Sequence, residues 1–278
     1  MTNTNPQSVN SITDCSISGS GLTFSGFSSS VSSTIPLFNL TLTQTTVTKS
    51  SFYIKNYFPQ LSNFIISYTT ASMTGNTGVF DFRSLAPDKF VVIYVYETSA
   101  TWNADGTGGS VLLMGGSVKQ SFNKYSGLYL VNTYARRAQH ILFHVDPFCS
   151  TTASCLVINN DVLTVDNATC VDCTAAIIRS DHVKYFITAA NNAVVRFSNC
   201  TSTGGKSLLG SYSTTAFTFS STANLIIYGI SVDGPFLAAG TPPPQIAGLG
   251  YFSLMHINAE SMQTTTTTFP TLSLAATM

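Results

Sequence analysis

Charged side chains are scarce in this sequence of 278 residues. Asp, Glu, Lys and Arg together make up 9% of the chain, against roughly 25% in an average soluble domain. The 12 basic and 12 acidic residues balance, so the chain lacks the basic surface that nucleic-acid binding requires. Lys and Glu are also the usual residues of helix surfaces, and their scarcity argues against helices. We therefore expect little helix and no nucleic-acid partner.

Long apolar runs are missing as well. No segment approaches the roughly 20 apolar residues that a membrane-spanning helix requires. Residues 1–11 lack the basic start and the apolar stretch of a secretory signal, and residues 271–278 are too short and polar for an anchor tail. The sequence alone therefore predicts no membrane span and no signal peptide. It describes either a soluble protein or a fragment of a longer one.

The cysteines do not have the spacing of a metal site. Cys170 and Cys173 form a CxxC pair, but neither a second pair nor paired histidines follow at ligand spacing. We interpret the cysteines as buried small side chains or as members of one or two local disulfides. The candidates for such bridges are Cys149, Cys155, Cys170, Cys173 and Cys200. We expect no metal and no other cofactor.

Hydrophobic residues, at 44% of the chain, indicate a folded protein. They occur in short β-branched and aromatic runs separated by clusters of Gly, Ser, Asn and Thr. The main runs begin at residues 38, 63, 89, 140, 161, 192, 224 and 251. The first two steps are 25 and 26 residues, and the step to 140 is about twice as long. Repeats of this length predict a solenoid.

Each repeat contains two or three short strands, which is what one turn of a β-helix needs. Stacked turns share an apolar column and satisfy their backbone groups with the turns above and below, while Asn and Asp tolerate left-handed backbone at the corners. The sequence therefore predicts an all-β, right-handed parallel β-helix over residues 15–262. A polar segment, 1–14, precedes it and a Thr-rich tail, 263–278, follows. An antiparallel β-sandwich or jelly roll is the alternative.

Two runs, 194–203 and 224–234, resemble the coils of pectin-lyase-like β-helix proteins. The Ser/Thr-rich, charge-poor background is similar to the large surface proteins of kinetoplastid protists, including the dispersed-gene-family type. The pattern covers most of residues 15–262. This resemblance implies a piece of a large glycosylated surface protein, extracellular or at the cell surface, with a role in adhesion or in coating the cell. The missing signal and membrane helix depart from that family and would fit a fragment.

The favoured function is a non-enzymatic surface, adhesive or structural module, with carbohydrate or a cell-surface protein as its partner. Asn39, Asn167 and Asn199 begin glycosylation sequons, which matter if the chain is secreted. Tyr94 and Tyr96 share one strand face. On an exposed face they would stack on sugars or form an interface, and otherwise they would fill the core or a ladder.

A polysaccharide lyase or hydrolase on the same fold is the first alternative. Pectin-lyase-like enzymes place carboxylates on adjacent coils, sometimes with a basic residue. Asp166 and Asp172 are the candidate acid and base across a turn, with Arg179 or Lys184 as the cation. Corner aspartates that cap turns are the favoured interpretation of the same residues. A viral capsid or fibre subunit with a jelly-roll fold is the third hypothesis.

Overall fold

The chain is described by a computed structural model, and all regular secondary structure in the described residues is β-strand. The described residues are 7–19, 21–24, 37–54, 63–83, 92–104, 108–115, 120–122, 127–145, 156–159, 162–181, 185–204, 207–211, 215–236, 245–248, 251–259 and 274–275. The expectation of an all-β chain is confirmed for these residues.

The strands are numbered in chain order. They are β1 (Gln7–Thr13), β2 (Ser16–Ser18), β3 (Leu22–Phe24), β4 (Leu37–Thr43), β5 (Thr46–Thr48), β6 (Phe52–Ile54), β7 (Asn63–Met73), β8 (Phe80–Arg83), β9 (Val92–Trp102), β10 (Ser110–Gly115), β11 (Gln120–Phe122), β12 (Gly127–Arg136), β13 (His140–Val145), β14 (Leu156–Asn159), β15 (Val162–Val171), β16 (Ile178–Asp181), β17 (Tyr185–Ala190), β18 (Val194–Ser198), β19 (Thr201–Ser202), β20 (Leu209–Ser211), β21 (Thr215–Phe219), β22 (Asn224–Val232), β23 (Gln245–Gly248), β24 (Tyr251–Asn258) and β25 (Leu274–Ala275).

These strands form three sheets. The first sheet has 13 strands in the order β1-β4-β7-β9-β12-β15-β18-β22-β24-β25, with β2, β5 and β19 beside this path. The second sheet has seven strands in the order β20-β16-β13-β10-β8-β6-β3, and the third has five in the order β11-β14-β17-β21-β23. Every pairing between described strands is parallel. A sandwich or jelly roll is built from antiparallel pairs, which the described strands do not form.

From β9 to β22 the chain visits the sheets in a repeating order: first, second, third, then first again. One pass of the chain from a strand of the first sheet to the next is called a turn below. Hydrogen-bonded positions on successive strands of the first sheet are 24 residues apart at Asn39 and Asn63, and 35 apart at Asn132 and Asn167. Parallel strands cannot be joined by a tight turn and need a long crossover. Here the crossovers run through the second and third sheets.

One step of the repeat predicted from the sequence is wrong. The spacing predicts that the run at 140 lies two steps after the run at 89, but His140–Val145 is a strand of the second sheet. The strand that follows β9 in the first sheet is Gly127–Arg136, where Val92 pairs with Gly127. Its start, at Gly127, is not among the eight run starts that the sequence predicted.

Both ends of the first sheet lie in segments that the sequence set apart. Gln7–Thr13 pairs with Leu37–Thr43 in unbroken register, although it falls within the polar segment 1–14. Leu274–Ala275 pairs with β24, although it falls within the Thr-rich tail 263–278. Strands with few apolar residues are hard to detect by alternation alone.

The core is a set of columns of inward side chains. One column of the first sheet consists of Leu42, Ile66, Val95, Leu130, Val165, Phe197 and Ile227, which pair in register and are fully buried. A phenylalanine cluster joins the first and second sheets, since the Phe64 and Phe82 ring centroids are 6.3 Å apart and those of Phe52 and Phe82 are 6.1 Å apart. Each turn alone buries little, so stacking stabilises all of them.

Candidate functional site

A corner in the first sheet repeats at the same register on nine successive turns. Its residues have φ between 49° and 64°, and they are Asp14, Gln44, Tyr68, Glu97, Asn132, Asn167, Asn199, Gly229 and His256. Gly, Asn and Asp adopt this left-handed conformation at low cost. The corner divides the outer surface of the sheet into two strips. Their side chains are fixed in rows about 4.8 Å apart.

Amide side chains connect neighbouring corners. Asn132 Nδ2 donates to Glu97 Oε1 at 2.7 Å, and Asn167 Nδ2 donates to Asn132 Oδ1 at 2.8 Å. Asn199 does not continue this series of bonds between corner residues, because its Nδ2 donates to Asp166 Oδ1 at 3.0 Å. These bonds run along the stacking direction and offset the cost of the left-handed backbone.

Polar side chains also lie directly inside the corner. Thr45, Thr69, Thr98 and Thr133 follow the corner on four successive turns and are each 1% exposed. Cys200 takes this position three turns after Thr98, and its Sγ donates to the carbonyl of Ser198 at 3.3 Å. Burial, the largest effect, raises the pKa of the Cys200 thiol to about 12, and the Asp166 carboxylate adds to the rise.

Cys200 should therefore resist alkylation in the folded protein. The thiolate is the reactive form, and a pKa raised from 9.0 to about 12 leaves almost none of it at pH 8. We expect iodoacetamide to label the half-buried Cys15 well before Cys200, as peptide mass spectrometry would show. Because the pKa of Cys200 is higher in the folded protein, its thiol makes its full contribution to the free energy of unfolding below pH 9. This contribution is lost as the pH rises towards 12. Equal labelling rates in native protein would contradict this burial.

A cluster of tyrosines lies at the corner and on one side of it. Tyr94 and Tyr96 point outward from β9, opposite the fully buried Val95. Tyr94 stacks on Tyr129 of the next turn, with centroids 4.3 Å apart and planes 8° apart. Tyr96 meets Tyr68 of the previous turn edge-to-face at 5.8 Å. Tyr68, Tyr94, Tyr96 and Tyr129 are named here the tyrosine cluster. They are not core residues, and Tyr94 with Tyr129 forms a short ladder.

Tyr68 is the unusual member of the tyrosine cluster. Its side chain is 58% exposed, the highest value among the exposed large hydrophobic residues of the described chain. It also has a φ of 50°, which is an outlier for a bulky residue. Strained residues of this kind concentrate at functional sites. Other turns place Gln, Glu or Asn at the same corner, so the fold does not require an aromatic ring there.

The candidate acid and base do not converge. Asp166 connects two turns, since its Oδ1 accepts hydrogen bonds from Ser198 Oγ at 2.7 Å and from Asn199 Nδ2 at 3.0 Å. Asp172 lies six residues further along the same turn, which is roughly 20 Å of extended backbone at about 3.3 Å per residue. Paired glycosidase carboxylates are about 5–10 Å apart. Asp172 has a left-handed φ of 54°, as a corner residue does, whereas the Asp166 carboxylate bonds to the next turn.

The cation beside Asp172 is one that the sequence did not suggest. Arg136 Nε lies 3.8 Å from Asp172 Oδ2, and both side chains are about half exposed, so the pair contributes little stability. Arg179 lies in the second sheet, in register with Phe143. Lys184 lies outside the described residues. Arg136 is in register with Val171, which directly precedes Asp172. This register, which the sequence alone does not give, is what brings Arg136 and Asp172 together.

Cys170 and Cys173 form a disulfide, with their Cα atoms 5.7 Å apart. The sequence included Cys200 among the disulfide candidates, but it is a free and fully buried thiol. The residue at the same position on the preceding turn is Ala168, which cannot form a bridge. Cys149 and Cys155 lie outside the described residues. The bridge closes the turn between β15 and β16.

The three sequon asparagines all engage neighbouring turns. Asn39 Oδ1 accepts a hydrogen bond from Asn63 Nδ2 at 2.9 Å. Asn167 and Asn199 are adjacent corner residues about 4.8 Å apart, and each donates through the Nδ2 atom that a glycan would occupy. Glycans on both asparagines would crowd each other at this spacing.

Within the described ranges, no three His, Cys, Asp or Glu side chains come together as a metal site would require. The same part of the chain contains no helix with the length and apolarity to span a bilayer. No family model, curated protein or solved structure matches the chain.

Proposed function

We propose that this chain is a non-enzymatic surface module, built as a right-handed parallel β-helix, that adheres to carbohydrate through the tyrosine cluster. The repeating path through three parallel sheets supports the helix, because each circuit returns to the first sheet one strand further along. Crossovers between parallel strands of one sheet are right-handed in about 98% of cases. The resemblance to pectin-lyase-like coils belongs to the same proposal.

Tyr68 is the single observation on which the binding proposal rests. An exposed aromatic ring held at a strained corner, with Tyr96 against one edge, leaves surface for a sugar ring to stack on. Glu97 and Asn132, on the next two corners, add acceptors and donors of the kind that sugar hydroxyls use. A surface with few charges suits a neutral polysaccharide.

A surface location is supported by two features of the chain. The Cys170–Cys173 disulfide fits an oxidising compartment. The outer rows of Ser, Thr and Asn give a polar surface with few charges. The lack of convergence between Asp166 and Asp172 favours a binding module over a lyase or hydrolase.

Glycan binding should depend on Tyr68. We expect Tyr68→Asn to weaken binding to the best ligand of a glycan array about tenfold, since one aromatic stacking contact contributes about 0.5–1.5 kcal/mol beyond its buried area. Asparagine already occupies the same corner at Asn132 and Asn167, so the variant should fold. Isothermal titration measures the change in Kd.

Tyr134→Ala is the matched control, because Tyr134 is 37% exposed but lies on the other side of the corner. It should bind as the wild type does. Equal losses in both variants, or no glycan bound by the wild type, would contradict the proposal. Release of reducing ends from a polyuronide, lost in Asp172→Ala, would favour the enzyme instead.

A further inference from the structure

A second surface lies on the opposite side of the corner and consists of hydroxyl groups. Four successive turns each present two outward side chains with one buried residue between them: Ser16-Ile-Ser18, Thr46-Val-Thr48, Thr70-Ala-Ser72 and Ser99-Ala-Thr101. The rows pair in register, so the outward residues form two straight columns. We name these eight residues the hydroxyl grid.

The hydroxyl grid is flat and rigid for physical reasons. The residues beneath it, Ile17, Val47, Ala71 and Ala100, are buried in the core and fix each row from below. Neighbouring rows lie about 4.8 Å apart, and the two hydroxyls within a row are about 6.6 Å apart. Threonine, at four of the eight positions, has a stiff first side-chain torsion, so its hydroxyl and methyl positions are well defined.

The chemistry of the hydroxyl grid is neutral. None of its eight residues is ionisable, and the nearest charged neighbours along the chain or columns, Asp14, Lys49, Glu97 and Arg136, lie at its rim. A charged side chain binds its own hydration shell strongly. Hydroxyl groups bind water less strongly, so the spacing between them determines where ordered water molecules lie. The complementary surface is therefore an uncharged lattice of hydrogen-bonding oxygens with a similar two-dimensional repeat.

We propose that the hydroxyl grid binds the surface of ice, through water molecules ordered on its two columns. Both spacings of the grid approach oxygen repeats of hexagonal ice, so one layer of lattice water can bond to successive hydroxyls after small displacements of the water molecules. The site is separate from the tyrosine cluster and does not depend on carbohydrate binding.

The fold itself supplies variants that should disrupt the grid without disrupting the structure. Tyr134 continues the column of Thr70 and Ser99 on the next turn, and Arg136 continues that of Ser72 and Thr101. Both columns therefore tolerate large side chains. Thr70→Tyr places such a side chain in the middle of the grid. Thr164→Tyr is the matched control, because Thr164 follows Tyr94 and Tyr129 in the column on the other side of the corner.

The test is partition of the full chain into a slowly grown ice hemisphere, with thermal hysteresis measured on the same samples. We expect the wild type and Thr164→Tyr to be incorporated into ice, and Thr70→Tyr to be excluded to the level of serum albumin, with unchanged circular dichroism in all three. Exclusion of the wild type, or equal incorporation of both variants, overturns the proposal. Retention on crystalline cellulose that only Thr70→Tyr loses, with no incorporation into ice, overturns it in favour of a polysaccharide lattice.

Discussion

Replacing Ile66 by alanine is expected to lower the free energy of unfolding by about 2–5 kcal/mol. Ile66 is fully buried in the first sheet, and its neighbours in the column are Leu42 on the preceding turn and Val95 on the following one. Deleting its side chain leaves a cavity between three turns, which cannot close because the backbone spacing of stacked strands is fixed. Urea unfolding followed by circular dichroism measures the loss.

Ile65 supplies the control, since it is the same residue type one position earlier on the same strand. It points outward and is half-buried, so Ile65→Ala should cost about 1 kcal/mol or less. A comparable loss in both variants would contradict the assignment of inward and outward faces. A loss at Ile65 alone would mean that the register of β7 is shifted by one residue.

Gly109→Ala should be among the most destabilising single substitutions in the chain, with a loss of several kcal/mol or failure to fold. A Cβ on Gly109 would collide with the backbone carbonyl oxygen of Thr77 on the preceding turn and would lie 2.8 Å from Trp102 Nε1. Gly109 also accepts a hydrogen bond from the Gln139 N–H of the following turn at 2.7 Å. The residue is therefore held from both sides, and the backbone has no room to shift.

Gly75→Ala separates this steric effect from backbone strain. Gly75 has a φ of 64°, but a Cβ there meets nothing within 4 Å. Its substitution should cost only the strain of a left-handed alanine, about 1 kcal/mol. Melting temperatures of the two variants should differ clearly. If Gly109→Ala melts no lower than Gly75→Ala, adjacent turns are not as close as described.

Alternation and spacing carried most of the information about the fold. Runs such as 63–72 and 224–234 predicted strands, which lie in the first sheet, because apolar residues recur at every second position, such as Phe64 and Ile66 or Leu225 and Ile227. The step from 89 to 140 failed for a physical reason. Crossovers vary in length from turn to turn, so a strand of the second sheet, His140–Val145, fell near the predicted position.

The corner could be predicted only in part. Asn132, Asn167 and Asn199 are residues that favour left-handed backbone, and turns rich in Asn and Asp were expected there. Nothing local places Tyr68 or Glu97 in that conformation, since neither residue favours it. Only the stacking of whole turns forces the same bend on every residue of the column, and this is a tertiary effect.

The sites depend on register, which a single sequence does not give. Asp172 and Arg136 are 36 positions apart and were not connected. The hydroxyl grid needs the in-register pairing of four separate segments. Tyr94 and Tyr96 were recognised as sharing a face, because that follows from one strand, but Tyr68 and Tyr129 join them from neighbouring turns.

The most direct test of stacked parallel turns is a set of spin-label distances along the corner. One nitroxide is attached at His256 through a keto amino acid, which leaves the native cysteines intact, and the second at Asn132, Tyr68 or Gln44. Pulsed electron resonance should give distances that grow by about 4.8 Å per turn, roughly 19, 29 and 34 Å for four, six and seven turns. Distances that do not rise with the number of turns would contradict the account.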